Sequence, residues 1–203
     1  MSTDRTYPGL GIAVCLFASA VALAVAPVFM PEGYSWFSHT TSESAAQGVP
    51  AAWIARLGFL LFGIGVLWVT VQRRDAWKRW ATVFHAGFGI FMIATTVFST
   101  RSWDPTVAYN PIEDAIHSVT ATLVGFCFAF GVLLLLLRRR QERRNVRWVD
   151  VVALGATVIL PTAMMLLPHL AGVFQRLMFF VAYVWYLRED YLFLAHSNHS
   201  PNS

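Results

Sequence analysis

Residues 119–137 read VTATLVGFCFAFGVLLLLL, and residues 138–147, which follow directly, read RRRQERRNVR. Nineteen positions pass without a charged side chain. At about 1.5 Å per residue they make a helix of roughly 28 Å, close to the thickness of a bilayer's hydrocarbon core. The six arginines that end the run mark an edge in contact with water and lipid headgroups.

The same reading extends in both directions. The quoted stretch belongs to a run from Glu113 to Leu137, and five more apolar runs cover Leu10 to Phe29, Ala51 to Gln72, Trp80 to Ser99, Trp148 to Leu167 and Gly172 to Leu194. Each is long enough to cross a membrane once. Pro31, Pro50, Pro105, Pro111 and Pro168 fall at or near the ends of these runs, where helices start and turns form. Pro161 lies inside the fifth run and is expected to kink it. Composition agrees with these spans. Of the 203 residues 57% are hydrophobic and 13% are charged, against about 25% charged in a soluble domain. Two cysteines exclude a disulfide scaffold, and the apolar content excludes disorder. The expected fold class is an all-α integral membrane protein with six transmembrane helices in one bundle. Residues 1–9 are read as a cytoplasmic N-terminus, 10–194 as the transmembrane domain and 195–203 as a mobile cytoplasmic tail. The first run is read as a span and not a cleaved leader, because its apolar stretch exceeds the roughly 7–15 residues of a signal core and Pro27 follows the best cleavage site.

Orientation follows from the basic residues. Arg73, Arg74, Lys78 and Arg79 lie after the second run, and Arg138, Arg139, Arg140, Arg143, Arg144 and Arg147 after the fourth. These two loops hold ten of the fifteen basic residues, and the alternate loops hold only Arg101. The positive-inside rule therefore places both termini in the cytoplasm, as a multi-pass protein of a bacterial cytoplasmic membrane. Topology and anionic headgroups account for the net charge of +4 without a nucleic acid. Membrane lipids are the expected partners, together with a second membrane protein or further copies of the chain. Cys15 and Cys127, inside apolar runs, are read as small core residues, and the C-terminal His196 and His199 as part of the tail.

The remaining polar residues gather on the opposite, extracytoplasmic side. They are His39 and Glu43 in the first outer loop, Arg56 near the start of the second run, Glu113, Asp114 and His117 at the start of the fourth, and Gln175 and Arg176 at the start of the sixth. Glu113 and Asp114 precede His117 by four and three residues, so both carboxylates lie one turn away on the imidazole's side of a helix. That spacing suits a histidine base oriented by acids. The candidate catalytic residues are accordingly His117, Asp114, Glu113 and Glu43, and the candidate substrate-binding residues are Arg56, Gln175, Arg176 and His39. The rival reading is structural, with carboxylates at a helix start and arginines pairing with Glu43 or Asp114 to fasten helices. No HExxH or CxxC spacing supports a metal, although His39, His117 and His169 are the residues a zinc site would draw on, and no cofactor is specified. His85, beside Ala86, Gly87 and Gly89, is read as packed against a neighbouring helix and bonded to a carbonyl.

Several motifs together carry a family resemblance. Tyr34-Ser35 through Ser42-Glu43, then Gln47-Gly48-Val49-Pro50, Arg56-Leu57-Gly58-Phe59, the Glu113-Asp114 and His117 pattern, and Gly172-Val173-Phe174-Gln175-Arg176 before Trp185 occur in order over nearly the whole chain. This arrangement resembles the bacterial and archaeal multi-pass membrane family catalogued as domain of unknown function 998. The resemblance implies a six-helix inner-membrane protein and brings no activity with it. A more distant likeness to membrane hydrolases that include alkaline ceramidases fails on two points. That group has seven spans and a paired histidine motif in its last helix, so no zinc ligand is carried over. Two functions follow for the outer cluster. It either binds a lipid or amphiphile headgroup or joins helices, or it serves a membrane-embedded enzyme acting on a lipid-like substrate with His117 and Asp114 at its site.

Overall fold

A computed structural model describes residues 6–198, with side chains from 10 to 192. The expectations for residues 1–5 and 199–203 lie outside the described residues, as do those resting on the side chains of 6–9 and 193–198. The described residues form five long helices: α1 (Thr6–Val25), α2 (Ala52–Val97), α3 (Pro111–Gln141), α4 (Trp148–Leu166) and α5 (Ala171–Asn198). All five are long and apolar enough to cross a membrane, and among the described residues there is no strand.

α2 is not one rod. Lys78 has φ 64° and ψ 174°, outside the helical region, and the chain folds back there into two legs, 52–77 and 79–97. The contact that proves the reversal is between Gly63 and Gly89. A Cβ on Gly63 would lie 2.7 Å from the Gly89 carbonyl oxygen, and one on Gly89 would lie 2.9 Å from that of Gly63. In a straight helix these residues would stand about 39 Å apart. The two glycines let the backbones approach as small residues do in membrane bundles. Arg138 donates to the Ala76 carbonyl beside the break, and Thr82 Oγ1 donates to the Lys78 carbonyl at 2.7 Å. The second and third apolar runs are thus two legs of a hairpin whose turn is much tighter than the gap of 73–79 between the runs.

Successive legs pack antiparallel. Gly11 meets Trp68 and Gly58 meets Leu23, aligning α1 with the first leg of α2. Gly87 meets Cys127 and Gly131 meets His85, aligning the second leg with α3. Trp185 on α5 bonds to Asp150 on α4, and Tyr183 on α5 bonds to Ser19 on α1, which closes the bundle. The core is strongly aromatic, with Phe59, Phe62, Phe88, Phe128, Trp185 and Tyr186 all buried. α4 stays helical through Pro161.

This topology gives the bundle two distinct ends. One carries the turn at Lys78, the loop 142–147, the start of α1 and the end of α5, and is here the arginine end. The other carries the long segments 30–51 and 98–110 and the turn before α5, and is the loop end.

Candidate functional site

At the loop end, α5 holds the first long loop through consecutive polar residues. Arg176 donates from Nη1 to the carbonyls of Trp36 (2.8 Å), His39 (3.0 Å) and Gly172 (2.9 Å), and from Nη2 to the Tyr34 hydroxyl (2.7 Å). Its guanidinium also lies 4.6 Å from the Trp36 ring centre. Gly172 makes this possible, because a Cβ there would stand 2.3 Å from the His39 carbonyl oxygen and 2.6 Å from that of Trp36. Gln175 Oε1 accepts from the backbone N–H groups of Thr41 (2.6 Å) and Ser42 (3.2 Å). Arg56, from α2, donates to the carbonyls of Ala45 (3.0 Å) and Ala46 (3.2 Å). Both arginines therefore bind loop carbonyls, and the expected pairing with Glu43 or Asp114 is replaced by these bonds. The loop lacks enough helix to satisfy its own carbonyls, and two guanidiniums with fixed donor forks do so instead.

Glu43 and His39 serve the same loop. Glu43 Oε2 accepts from the Thr40 N–H at 2.6 Å and its hydroxyl at 2.9 Å, and His39 Nδ1 accepts from the Ser35 N–H at 2.8 Å. The His39 ring stacks on Trp103 at 5.4 Å. Gln47 joins this loop to the second, donating to the carbonyls of Ser99 (2.7 Å) and Asn110 (3.2 Å) and accepting from the Asn110 N–H (2.7 Å).

The α3 face made of Glu113, Asp114 and His117 is assembled as its spacing implies, but its common object is a strand of backbone. Glu113 accepts from the Ser99 N–H at 2.7 Å, and Asp114 accepts from the Arg101 N–H and the Thr100 hydroxyl, both at 2.9 Å. His117 Nδ1 donates to the Phe98 carbonyl at 2.8 Å. Residues 98–101 are thus zipped to α3 where α2 ends. The expected orientation of His117 by its neighbouring carboxylates is corrected: a backbone carbonyl holds the ring. That bond places the proton on Nδ1 and leaves Nε2 as a bare acceptor, buried and without a partner. His169 is exposed in the turn before α5, and among the described residues no three His, Cys, Asp or Glu side chains converge as a metal site requires.

Below this end lies a cavity of about 130 Å³ between the second leg of α2, α3, α4 and α5. It exists because the facing positions are small: Ala121, Gly125, Ala153, Ala156 and Ala182. A Cβ added at Gly125 would meet nothing within 4 Å. Phe59, Phe88, Phe128 and Phe179 supply aromatic walls, and Ser42 and Gln175 are its polar members from the loop end. His117 lies one turn from Ala121 on the α3 stripe that continues through Val124, Gly125 and Phe128 into this cavity.

A family model for a protein of unknown function, DUF998, matches residues 11–188. The chain belongs to the DUF998 family. No curated protein and no solved structure matches it. The family match takes in the whole of α2, α3 and α4 and most of α1 and α5, and with them the loop end of the bundle.

The arginine end of this DUF998 protein holds a second polar assembly, which sequence reasoning missed. Asp150 and Glu189 are fully buried. Glu189 accepts from Arg73 (3.2 Å), Trp77 (2.9 Å), Arg139 (3.4 Å) and Arg147. Asp150 accepts from Arg139, Arg147 (2.9 Å) and Trp185 (3.0 Å). Three arginines, one from the first leg of α2, one from the end of α3 and one from the loop before α4, therefore converge on two acids from α4 and α5. Assigning all ten basic residues to topology and headgroups is corrected for these three, which are structural partners inside the bundle. The available signal was an acidic pair, Glu189-Asp190, inside an apolar run. Next to this network His85 is fully buried, bonded at 2.9 Å to the Tyr186 hydroxyl, stacked on Trp185 and in tilted contact with Trp77. It is packed as expected, with a phenol in place of the expected carbonyl partner.

Proposed function

We propose that this DUF998 protein crosses a bacterial cytoplasmic membrane six times, counting both legs of α2. The arginine end and both termini then lie in the cytoplasm and the loop end lies outside. We further propose that it binds one chain of a lipid or other amphiphile in its central cavity, with the polar end of the ligand toward Ser42 and Gln175. The observation that carries this reading is the cavity itself, a mostly apolar space with Ser42 and Gln175 at its loop end, lined by residues that leave room for an occupant. Arg56, Arg176, His39, Glu43, Glu113 and Asp114 shape its mouth by fastening the two loops above it. The test is native mass spectrometry of the protein extracted from membranes. A bound amphiphile is expected on the wild type and lost in Gly125→Leu, and its equal retention by both proteins removes the cavity from consideration.

The bare Nε2 of His117 favours a second reading, in which a membrane-embedded enzyme uses this nitrogen as base on a ligand hydroxyl or a water, with Asp114 holding the adjoining loop. Under that reading His117→Ala inserts and folds but changes the cellular lipid profile as a deletion does. An unchanged profile in the variant beside a changed one in the deletion excludes it.

A further inference from the structure

The polar atoms in the cavity specify a kind of head. Among the described residues no charged side chain lines it, and its polar side chains are Ser42, Thr95, Thr157 and Gln175. Thr95 and Thr157 have already used their hydroxyl protons, donating at 2.7 Å to the carbonyls of Met92 and Leu154. What each has left is an acceptor lone pair. Gln175 is spent in the opposite sense. Its Oε1 accepts from two backbone N–H groups, leaving the Nε2 amide, which makes a long 3.4 Å contact to Ser42, as a donor. The cavity therefore offers both acceptors and donors, and no full charge.

The nearest cations are committed elsewhere. The terminal nitrogens of Arg176 serve three carbonyls and the Tyr34 hydroxyl, and Arg56 serves two carbonyls. The Nε of Arg176 is left without a partner, and Arg176 does not line the cavity. An anionic head placed here would be desolvated without a counter-charge and would face threonine lone pairs with only acceptors of its own. A hydroxyl both donates and accepts, and matches what is present. The volume sets the other limit. A cavity of about 130 Å³ compares with the roughly 150 Å³ apolar cavity that takes a benzene ring, enough for a stretch of one hydrocarbon chain and not two side by side.

We infer that the cavity selects a single-chain amphiphile with an uncharged, hydroxyl-bearing head, such as a long-chain alcohol or a monoacylglycerol, over anionic lipids of the same chain. This inference rests on the cavity-binding reading above and narrows its ligand. Two photoreactive probes test it, sharing one diazirine-bearing alkyl chain and ending in an alcohol or a permanently charged sulfonate. Each is irradiated with the purified full chain in neutral detergent, and labelled peptides are mapped by mass spectrometry. The alcohol is expected to label the peptides carrying Met92 and Met178 at least tenfold more than the sulfonate, and Gly125→Leu is expected to abolish that labelling. Sulfonate labelling of these peptides equal to or above that of the alcohol overturns the neutral-head inference and leaves cavity binding standing. Labelling confined to the lipid-facing surface with both probes overturns cavity binding itself.

Discussion

The indole N–H of Trp77 donates to the Glu189 carboxylate at 2.9 Å. Trp77 is the last residue before the break at Lys78, and Glu189 belongs to the helix that closes the bundle, so this bond fixes the α2 hairpin against α5. Arg73, Arg139 and Arg147 complete the shell around the same carboxylate. Buried ions of this kind are held in place by each other, and removing one member leaves the rest uncompensated.

Glu189→Gln keeps the shape of the side chain and deletes its charge. The variant is expected to lose about 3–5 kcal/mol of stability, the range for a broken buried ion pair, measured as thermal unfolding in detergent. Arg73→Gln is expected to cost less, because among the described residues Arg73 pairs with Glu189 alone, at 3.2 Å. An unchanged unfolding temperature for Glu189→Gln contradicts the structural role.

Arg176→Lys replaces a planar fork by a point charge that cannot reach the same acceptors. Hydrogen bonds to charged groups are worth about 1.5–3 kcal/mol each, and the loop depends on several from this one residue. Limited proteolysis of residues 34–46 is expected to accelerate in Arg176→Lys and in Gly172→Ala, the second because its methyl enters the space of the Trp36 and His39 carbonyls. Wild-type cleavage rates in both variants refute the clamp.

His117→Ala leaves the Phe98 carbonyl without its side-chain donor and is expected to destabilise the protein by about 1–3 kcal/mol. His117→Asn, which keeps a short donor on the same helix face, is expected to recover part of that loss. Unfolding temperatures of the two variants in detergent make the comparison, and equal values for both show that the Phe98 bond is not what stabilises this end.

Gly125→Leu places a side chain in the cavity. Removal of a mid-helix glycine contributes about 0.8–1 kcal/mol, and filling empty space adds packing contacts. The unfolding temperature of ligand-stripped protein is expected to rise. A fall shows that the space is too narrow for leucine.

Burial pushes the Tyr34 phenol above its ordinary range, against the pull of Arg176. The folded chain then holds this proton to higher pH than the unfolded chain does. Its contribution is constant below the unfolded value near 10 and is lost as the pH rises above that value. Tyr34→Phe is expected to lose stability less steeply than the wild type between pH 9 and about 11, followed by chemical denaturation. Parallel curves remove Tyr34 from the alkaline response.

Much of the fold was legible in the apolar runs, because a helix that crosses hydrocarbon must satisfy its own backbone and therefore advertises itself by length. The runs starting at Glu113 and Trp148 match α3 and α4 to within a few residues. The break in α2 was legible as a cluster of charges around Lys78, but the residue at which the chain turns was not, since a positive φ at a lysine has no sequence signal. The loop-end cluster was also legible as a set of residues. Its bonding was not, because spacing along one helix shows which side chains share a face and says nothing of what lies opposite. Glu113, Asp114 and His117 share a face as read, and what lies opposite is the backbone of residues 98–101.

By itself the sequence determined the helical class, the limits of the apolar runs, the gathering of ten of the fifteen basic residues at one end of the bundle and membership in the DUF998 family. Those properties depend on composition and period along the chain. Tertiary structure alone decided that Arg176 and Arg56 bind carbonyls, that Arg73, Arg139 and Arg147 surround Asp150 and Glu189, and that small residues on three helices leave a cavity beside Gly125. Each depends on which groups from distant parts of the chain are left without water and must find one another, a choice made only when the helices pack.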